Sequence, residues 1–257
     1  MRFAFVTRTD PRSYKLEHFI HARLEENHWI YDPEHPEIVI SIGGDGTLLR
    51  SIHQYIHCLN DILLVGIHTG TLGFLVDYTK EEIDLFVDDL LHSSPTIDEI
   101  PLLEMRVSNI DSSFYAFNEV RIESLEKTLS LEVYIDDEFF ELCNGSGVCI
   151  CTQSGSTAVN RALHGAVIDS GLQVLQLCEI MPITHQNHHS LRNPYIMRED
   201  RIVRIEGDSL HYAKACFDHL SISLDDVDSI LIATSQKKVR FARFRTYSYL
   251  TRLKNLY

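Results

Sequence analysis

The chain has 257 residues, 44% of them hydrophobic and 23% charged, an ordinary globular composition with length enough for one large or two modest domains without covalent staples. A formal net charge of −14 at pH 7 argues against a nucleic-acid partner, because affinity for a polyanion comes largely from neutralised phosphates, so any phosphate site must be local. No stretch approaches the ~20 apolar residues of a membrane-spanning helix, the apolar run 2–7 is too short for an export signal, and Cys58, Cys143, Cys149, Cys151, Cys178 and Cys216 show no C-x-x-C spacing, which predicts buried strand thiols in a reducing, cytoplasmic compartment with no membrane partner.

In chain order, apolar runs and helical periodicity predict a strand over 3–6, a helix over 14–26, a strand over 38–42, a helix over 48–56, a strand over 62–67 and a helix over 81–91. This alternation implies a parallel sheet with helices on its faces. Residues 92–101, polar with two prolines and little periodicity, read as a boundary. Beyond it the pattern is mainly of strands, over 103–107, 115–123, 131–135, 202–206, 220–223 and 230–234, with helices predicted only over 154–163 and 174–181. The expected organisation is an α/β domain over 1–97, a β-rich, sandwich-like domain over 98–240 and a C-terminal segment, 241–257, that returns to the first.

The stretch Glu37-Ile-Val-Ile-Ser-Ile-Gly-Gly-Asp-Gly-Thr-Leu-Leu-Arg50 carries the most chemistry. An apolar strand runs into Gly43, Gly44, Asp45, Gly46 and Thr47 and then into a helix, which is the layout of a phosphate cradle: glycines admit a phosphate to the backbone and take positive φ, and loop amides with the helix N-terminus supply donors. Thr47 is expected to cap the helix. A carboxylate in such a turn repels phosphate, yet it makes sense as the acceptor of a proton from an attacking hydroxyl, with Mg²⁺ on the donor phosphates screening the repulsion. The stretch matches neither the Walker A nor the dinucleotide-binding glycine pattern.

GGDGT after a strand is shared by several kinase families, and four further motifs separate them. Gly66-Ile-His-Thr-Gly70 with Leu72-Gly-Phe-Leu75, Phe117-Asn-Glu119, Gly145-Ser-Gly-Val-Cys-Ile-Cys-Thr-Gln-Ser-Gly-Ser-Thr-Ala158 and Phe217-Asp-His219 follow in that order and spacing. From about 38 to 245 the chain resembles the NAD kinase family, especially its compact Gram-positive branch. The resemblance implies the family's two-domain fold, transfer of phosphate from ATP or a related donor to the adenosine 2′-hydroxyl of NAD, Mg²⁺ accompanying the donor with no metal ligand in the chain itself, and a homotetramer or dimer in which a neighbour completes the site.

Carried over position by position, the resemblance makes Asp45 the proton acceptor and Gly43, Gly44, Gly46, Thr47 and Arg50 the phosphate and nucleotide contacts. Asn118 and Glu119 match the pair that binds the adenosine part of NAD, chemistry that suits an amide against a base edge and a carboxylate against ribose hydroxyls. Thr157 and Ala158 match adenine contacts at the start of the 154–163 helix, with Asn160 and Ala162 following. Phe74 matches an aromatic beside the ligand, Met181 and Ile183 fall in the segment that bears on a neighbour's ligand, and Asp218 with His219 match a pair near the phosphate end.

The family pattern breaks at three places. Ser146 replaces an acidic residue, Val159 a tyrosine and Asn144 a basic residue, and the segment 181–186 is divergent throughout. One charged hydrogen bond lost costs about 1.5–3 kcal/mol, so weaker or altered dinucleotide binding is expected, and a non-catalytic NAD(P) sensor is the alternative function. A lipid kinase shares GGDGT but would need an apolar access surface that the sequence does not offer. His185, His188 and His189 have spacing for a metal but no evident thiolate or carboxylate partner. Asp136-Asp-Glu138 reads as a hairpin turn, and Arg240, Arg243, Arg245 and Arg252, interleaved with Phe241, Phe244 and Tyr247, as a basic strand packed on an acidic body.

Overall fold

The computed structural model describes residues 1–70, 73–183, 190–246 and 248–254. The chain divides into two compact units, Met1–Ile100 with Lys237–Tyr257, and Pro101–Gln236. Among the described residues no helix is long and apolar enough to cross a membrane.

The first unit runs β1 (Arg2–Thr7), α1 (Pro11–Glu26), β2 (Ile30–Tyr31), β3 (Ile38–Gly43), α2 (Asp45–Gln54), β4 (Leu63–His68), β5 (Tyr78–Thr79) and α3 (Ile83–His92). Its strands are all parallel, in the order β2, β1, β3, β4, β5. Every residue of β3 is buried, as a strand covered on both faces by helices requires. α1 begins where Asp10 accepts the amides of Arg12 and Ser13 and Pro11 occupies the first turn, an N-terminus whose missing proline donor costs nothing. Ile20 and Leu24 of α1 and Phe86, Val87 and Leu90 of α3 close over Ile38, Ile40 and Ile42.

The second unit carries β6 (Thr96–Val107), which begins in the first, β7 (Ser113–Ala116), β8 (Glu119–Glu123), β9 (Leu129–Ile135), β10 (Glu138–Gly145), β11 (Gly147–Cys151), α4 (Val159–Ala162), β12 (Val174–Ile180), β13 (Tyr195–Arg198), β14 (Val203–Glu206), β15 (Lys214–Phe217), β16 (Leu220–Ser223) and β17 (Ser229–Arg243). One antiparallel sheet has the order β13, β12, β11, β8, β15, β16, and a second layer the order β10, β9, β14, β17. Both contribute alternating residues to one core, among them Val120, Ile122, Val148 and Ile150 from the first and Leu131, Val133, Ile205 and Ile230 from the second. This is a sandwich. β17 then runs on into the first unit, where Phe241 pairs in parallel with Leu64 of β4, and α5 (Tyr249–Lys254) follows.

Three expected elements differ. Residues 174–181 form strand β12 and not a helix, because Val174–Ile180 is buried at nearly every position between β11 and β13, and a short apolar run has no periodicity to separate the two. The stretch 92–101, read as a boundary, does contain the division between the units, at Ile100/Pro101, although strand β6 already starts within it at Thr96. The strand expected over 115–123 breaks at Phe117 and Asn118, whose amides bond a side chain in place of a ladder. Asp136 and Asp137 take φ of 50° and 65°, the left-handed pair of a two-residue hairpin, as their composition suggests.

Candidate active site

In the first unit the loop after β3 sits at the carboxyl ends of the parallel strands, where open α/β sheets bind ligands. α2 begins at Asp45 itself, with Gly44 as N-cap in extended conformation and no side chain capping the end. Thr47 is therefore not the cap. It lies inside the first turn, buried, with its Oγ1 so close to Gly43 that a Cβ there would stand 2.1 Å from it. Nor do these glycines take positive φ, which among the described glycines occurs only at Gly147, Gly171 and Gly207. What the loop provides is the N-terminus of a ten-residue helix that no side chain caps, the Thr47 amide turning back onto the Gly44 carbonyl at 2.8 Å; an uncapped helix start is the condition for holding an anion.

The carboxylate of Asp45 is fixed by the strap that follows β4. Its Oδ2 accepts the amide of Phe74 at 2.8 Å and its Oδ1 that of Leu75 at 3.1 Å. A Cβ on Gly73 would lie 2.3 Å from Oδ2, so only glycine allows this approach. Phe74 is half-buried and its ring packs 5.8 Å from that of Tyr249 in α5. His68, at the end of β4, accepts the Gly70 amide at Nδ1, 2.9 Å away, and presents Nε2 toward Gly44. Burial pushes its pKa down, against the pull of Asp45, so the ring favours the neutral form. The G-x-H-x-G pattern after a strand is the sequence signal for this histidine, which was not among the expected site residues. Arg50 donates from Nη2 to the Thr7 carbonyl at 3.3 Å.

The second unit gathers Asn118, Glu119, Thr157, Ala158 and His219 around the break between β7 and β8. The Asp218 carboxylate accepts the amides of Phe117 (2.8 Å) and Asn118 (2.7 Å), and its own amide donates to the Glu119 carbonyl at 3.1 Å. Thr152 bonds the carbonyls of Phe117 and Asn118 from the other side. Gly155 passes so near that a Cβ would be 2.0 Å from the Asn118 carbonyl oxygen. Glu119 is 2% exposed, with Oε2 lacking any partner among the described residues. Burial first and Asp218 second push its pKa up to about 7, with Arg121 opposing them and the Val159 amide bonding its carboxyl. A buried carboxylate oxygen left unpaired costs free energy that a donating ligand would recover.

Thr157 and Ala158 end a 3-10 turn, Ser154–Thr157, and α4 is one turn long, so the expected single helix is two short pieces. Asn160 is fully buried and its side chain is spent inside the fold, donating to the Ser156 and Ala166 carbonyls and accepting from Cys178 at 3.1 Å. Ala162 and His219 are exposed. Asn144, Ser146, Met181 and Ile183 come together elsewhere, at the ends of β10 to β12: the Asn144 carbonyl accepts the Ile183 amide at 2.8 Å, and the Ser146 hydroxyl meets the Met181 sulfur at 3.8 Å. Leu72, Thr184, His185, Gln186, His188, His189 and Tyr247 lie outside the described residues. Among the described residues one trio has metal-ligating atoms in mutual reach, Glu141, Cys143 and Glu179, and it includes none of the loop residues.

A parallel α/β unit with a fixed aspartate at an uncapped helix N-terminus, and a β-sandwich unit with a buried orphan carboxylate oxygen beside a break in its sheet, fit a phosphate- and nucleotide-handling protein of the kinase class. Comparison narrows this. Residues 26–94 match the ATP-NAD kinase N-terminal domain and residues 117–244 the ATP-NAD kinase C-terminal domain. The chain is 36% identical, over 98% of its length, to NAD kinases of Staphylococcus epidermidis and Staphylococcus aureus, 96% of each being covered. Its fold is similar to that of yeast NADH kinase solved with NADH (TM-score 0.84, 19% identity, 99% of this chain and 86% of that one). It is likewise similar to the Archaeoglobus fulgidus NAD kinase solved with ATP (TM-score 0.78, 22% identity, 100% and 97%). The chain belongs to the NAD kinase family.

Proposed function

We propose that this enzyme phosphorylates the 2′-hydroxyl of the adenosine ribose of NAD, using ATP or a related donor, with Asp45 as the proton acceptor. The carrying observation is the carboxylate of Asp45, held by the Phe74 and Leu75 amides at the first residue of a helix whose N-terminus no side chain caps. As the 2′-oxygen attacks the terminal phosphorus, the bond to the leaving oxygen breaks and the hydroxyl proton passes to Asp45, leaving NADP and ADP. Each carboxylate oxygen keeps a lone pair free beside its one amide bond. The first amides of α2 face the phosphate charge, and fixed donors of this kind need no reorganisation during transfer.

Adenosine is received by Asn118 and Glu119, with Thr157 and Ala158 beside them; the orphan Oε2 of Glu119 supports this, since a ribose hydroxyl would complete it. Only the resemblance supports Phe74, Asn144, Ser146, Asn160, Ala162 and His219 as further NAD contacts, and the Asn160 side chain is spent on the turn it pins. Mg²⁺ comes with the donor's phosphates, which suits a loop offering a single carboxylate and no cage of ligands. The protein acts as a cytoplasmic homo-oligomer; Met181 and Ile183, 71% and 39% exposed, suit burial against a neighbouring subunit. Incubation of the purified protein with NAD and Mg-ATP, with phosphorus NMR of the product, is expected to give the 2′-phosphate. NAD left unchanged, or phosphate on another hydroxyl, would overturn the reading.

A further inference from the structure

The amides that hold Asp45 belong to a strap, residues 73–77, that is gripped from its opposite side by two buried arginines from the far end of the chain. Arg252 of α5 donates to the carbonyl oxygens of Gly73 (2.9 Å) and Val76, and pairs with Asp77 at 3.0 Å. Arg243 at the end of β17 donates to the Leu75 carbonyl at 2.8 Å and pairs with the other oxygen of Asp77 at 2.9 Å. The two residues are 6% and 8% exposed, Arg243 and Arg252 respectively. Such a fork holds two acceptors at fixed separation, which a lysine cannot do.

The Gly73 carbonyl and the Phe74 amide are two ends of one peptide group. In a planar trans peptide they point in opposite directions, so one rigid plate has the Arg252 guanidinium on its oxygen and the Asp45 carboxylate on its hydrogen. A cation on the oxygen polarises the plate and strengthens the hydrogen as a donor. It also fixes the plate's tilt, and with it the aim of Oδ2. Tyr249, one turn earlier on α5, packs on Phe74 and sets the same strap sideways.

We propose that Arg252 is a positioning residue for phosphoryl transfer, acting on Asp45 through the 73–74 peptide group, so that the C-terminal helix is part of the catalytic apparatus. The proposal rests on Asp45 being the proton acceptor. Its test is a double-mutant cycle on the full-length enzyme with Arg252→Gln and Asp45→Asn, reading kcat, KM for NAD and thermal midpoint. The expected result is a kcat about ten- to a hundred-fold lower in Arg252→Gln, since misplacement of a reacting group by an ångström has that scale, with KM for NAD little changed. In the Asp45→Asn background the same substitution should cost almost nothing further, because non-additivity marks groups acting as one unit. An equal fold-loss in both backgrounds, or an undiminished kcat in Arg252→Gln beside a crippled Asp45→Asn, would overturn the role of Arg252 alone. A fully active Asp45→Asn would instead remove the acceptor reading beneath it. Should Arg252→Gln fail to fold, Arg252→Lys, which keeps the buried charge but not the fork, carries the same cycle.

Discussion

Gly46 is the glycine of the GGDGT loop with open space around it. A Cβ there would meet nothing within 4 Å, and within α2 alanine is favoured over glycine by about 1 kcal/mol. Gly46→Ala should therefore keep or slightly raise the thermal midpoint while placing a methyl group where the donor phosphate approaches, raising KM for ATP by about tenfold. Unchanged kinetics would move the phosphate away from this face. Glu119 gives a second test at the same scale. Its folded pKa of about 7 exceeds the ~4.3 of a free glutamate, so between those values the folded state holds a proton that the unfolded chain releases. The contribution of Glu119 to stability then falls as pH rises across that window, by about 1–3 kcal/mol. NAD affinity should run the other way, rising through pH 7 as the ionised acceptor forms. Denaturant titrations and NAD binding across pH 4.5–8 should show both slopes in the difference between the native protein and Glu119→Gln; parallel pH profiles would remove Glu119 from both.

Among the elements, the β9–β10 hairpin turns on Asp136 and Asp137, both at positive φ, a conformation that costs a non-glycine residue about 1 kcal/mol. Asp137→Gly should raise the urea midpoint, because the ion pair it removes, to Arg204, involves a side chain of 90% exposure and is worth little; a lower midpoint would show that the pair outweighs the strain. That turn was legible from three acidic residues between apolar strands, as were β1, α1, β3 and β4 from their own periodicity. β12 was not, since Val174–Ile180 is mostly buried on both faces, Gln176 included, and its partners β11 and β13 are distant in sequence. The break at Phe117 and Asn118 was hidden for a related reason. The group that takes their amides, Asp218, lies about a hundred residues further on, and local pattern carries no trace of it.

Across the whole molecule, motifs made Asp45 and the Asn118–Glu119 pair candidates, but said nothing of what holds them. The amides of Phe74 and Leu75, the arginines behind their strap and the neutral His68 are tertiary facts, and the basic C-terminal segment read only as charge balance. Arg240, Arg243, Arg245 and Arg252 do meet acidic partners in Glu99, Asp77, Asp98 and Glu82. Two of these pairs are buried and converge on the strap, and that convergence turns charge balance into a means of aiming the site. At two of the three departures from the family pattern, Asn144, Ser146 and Val159, the main chain carries a contact, the Asn144 carbonyl receiving the Ile183 amide and the Val159 amide serving Glu119. None of the three lies in the loop of the first unit. The central claim is that Asp45 accepts the proton, and the most direct measurement is single-turnover NADP formation by Asp45→Asn alongside its equilibrium binding of NAD. The expected outcome is binding within a few-fold of native with the rate down by about 10²–10⁴; a native rate, or a loss confined to binding, would contradict it.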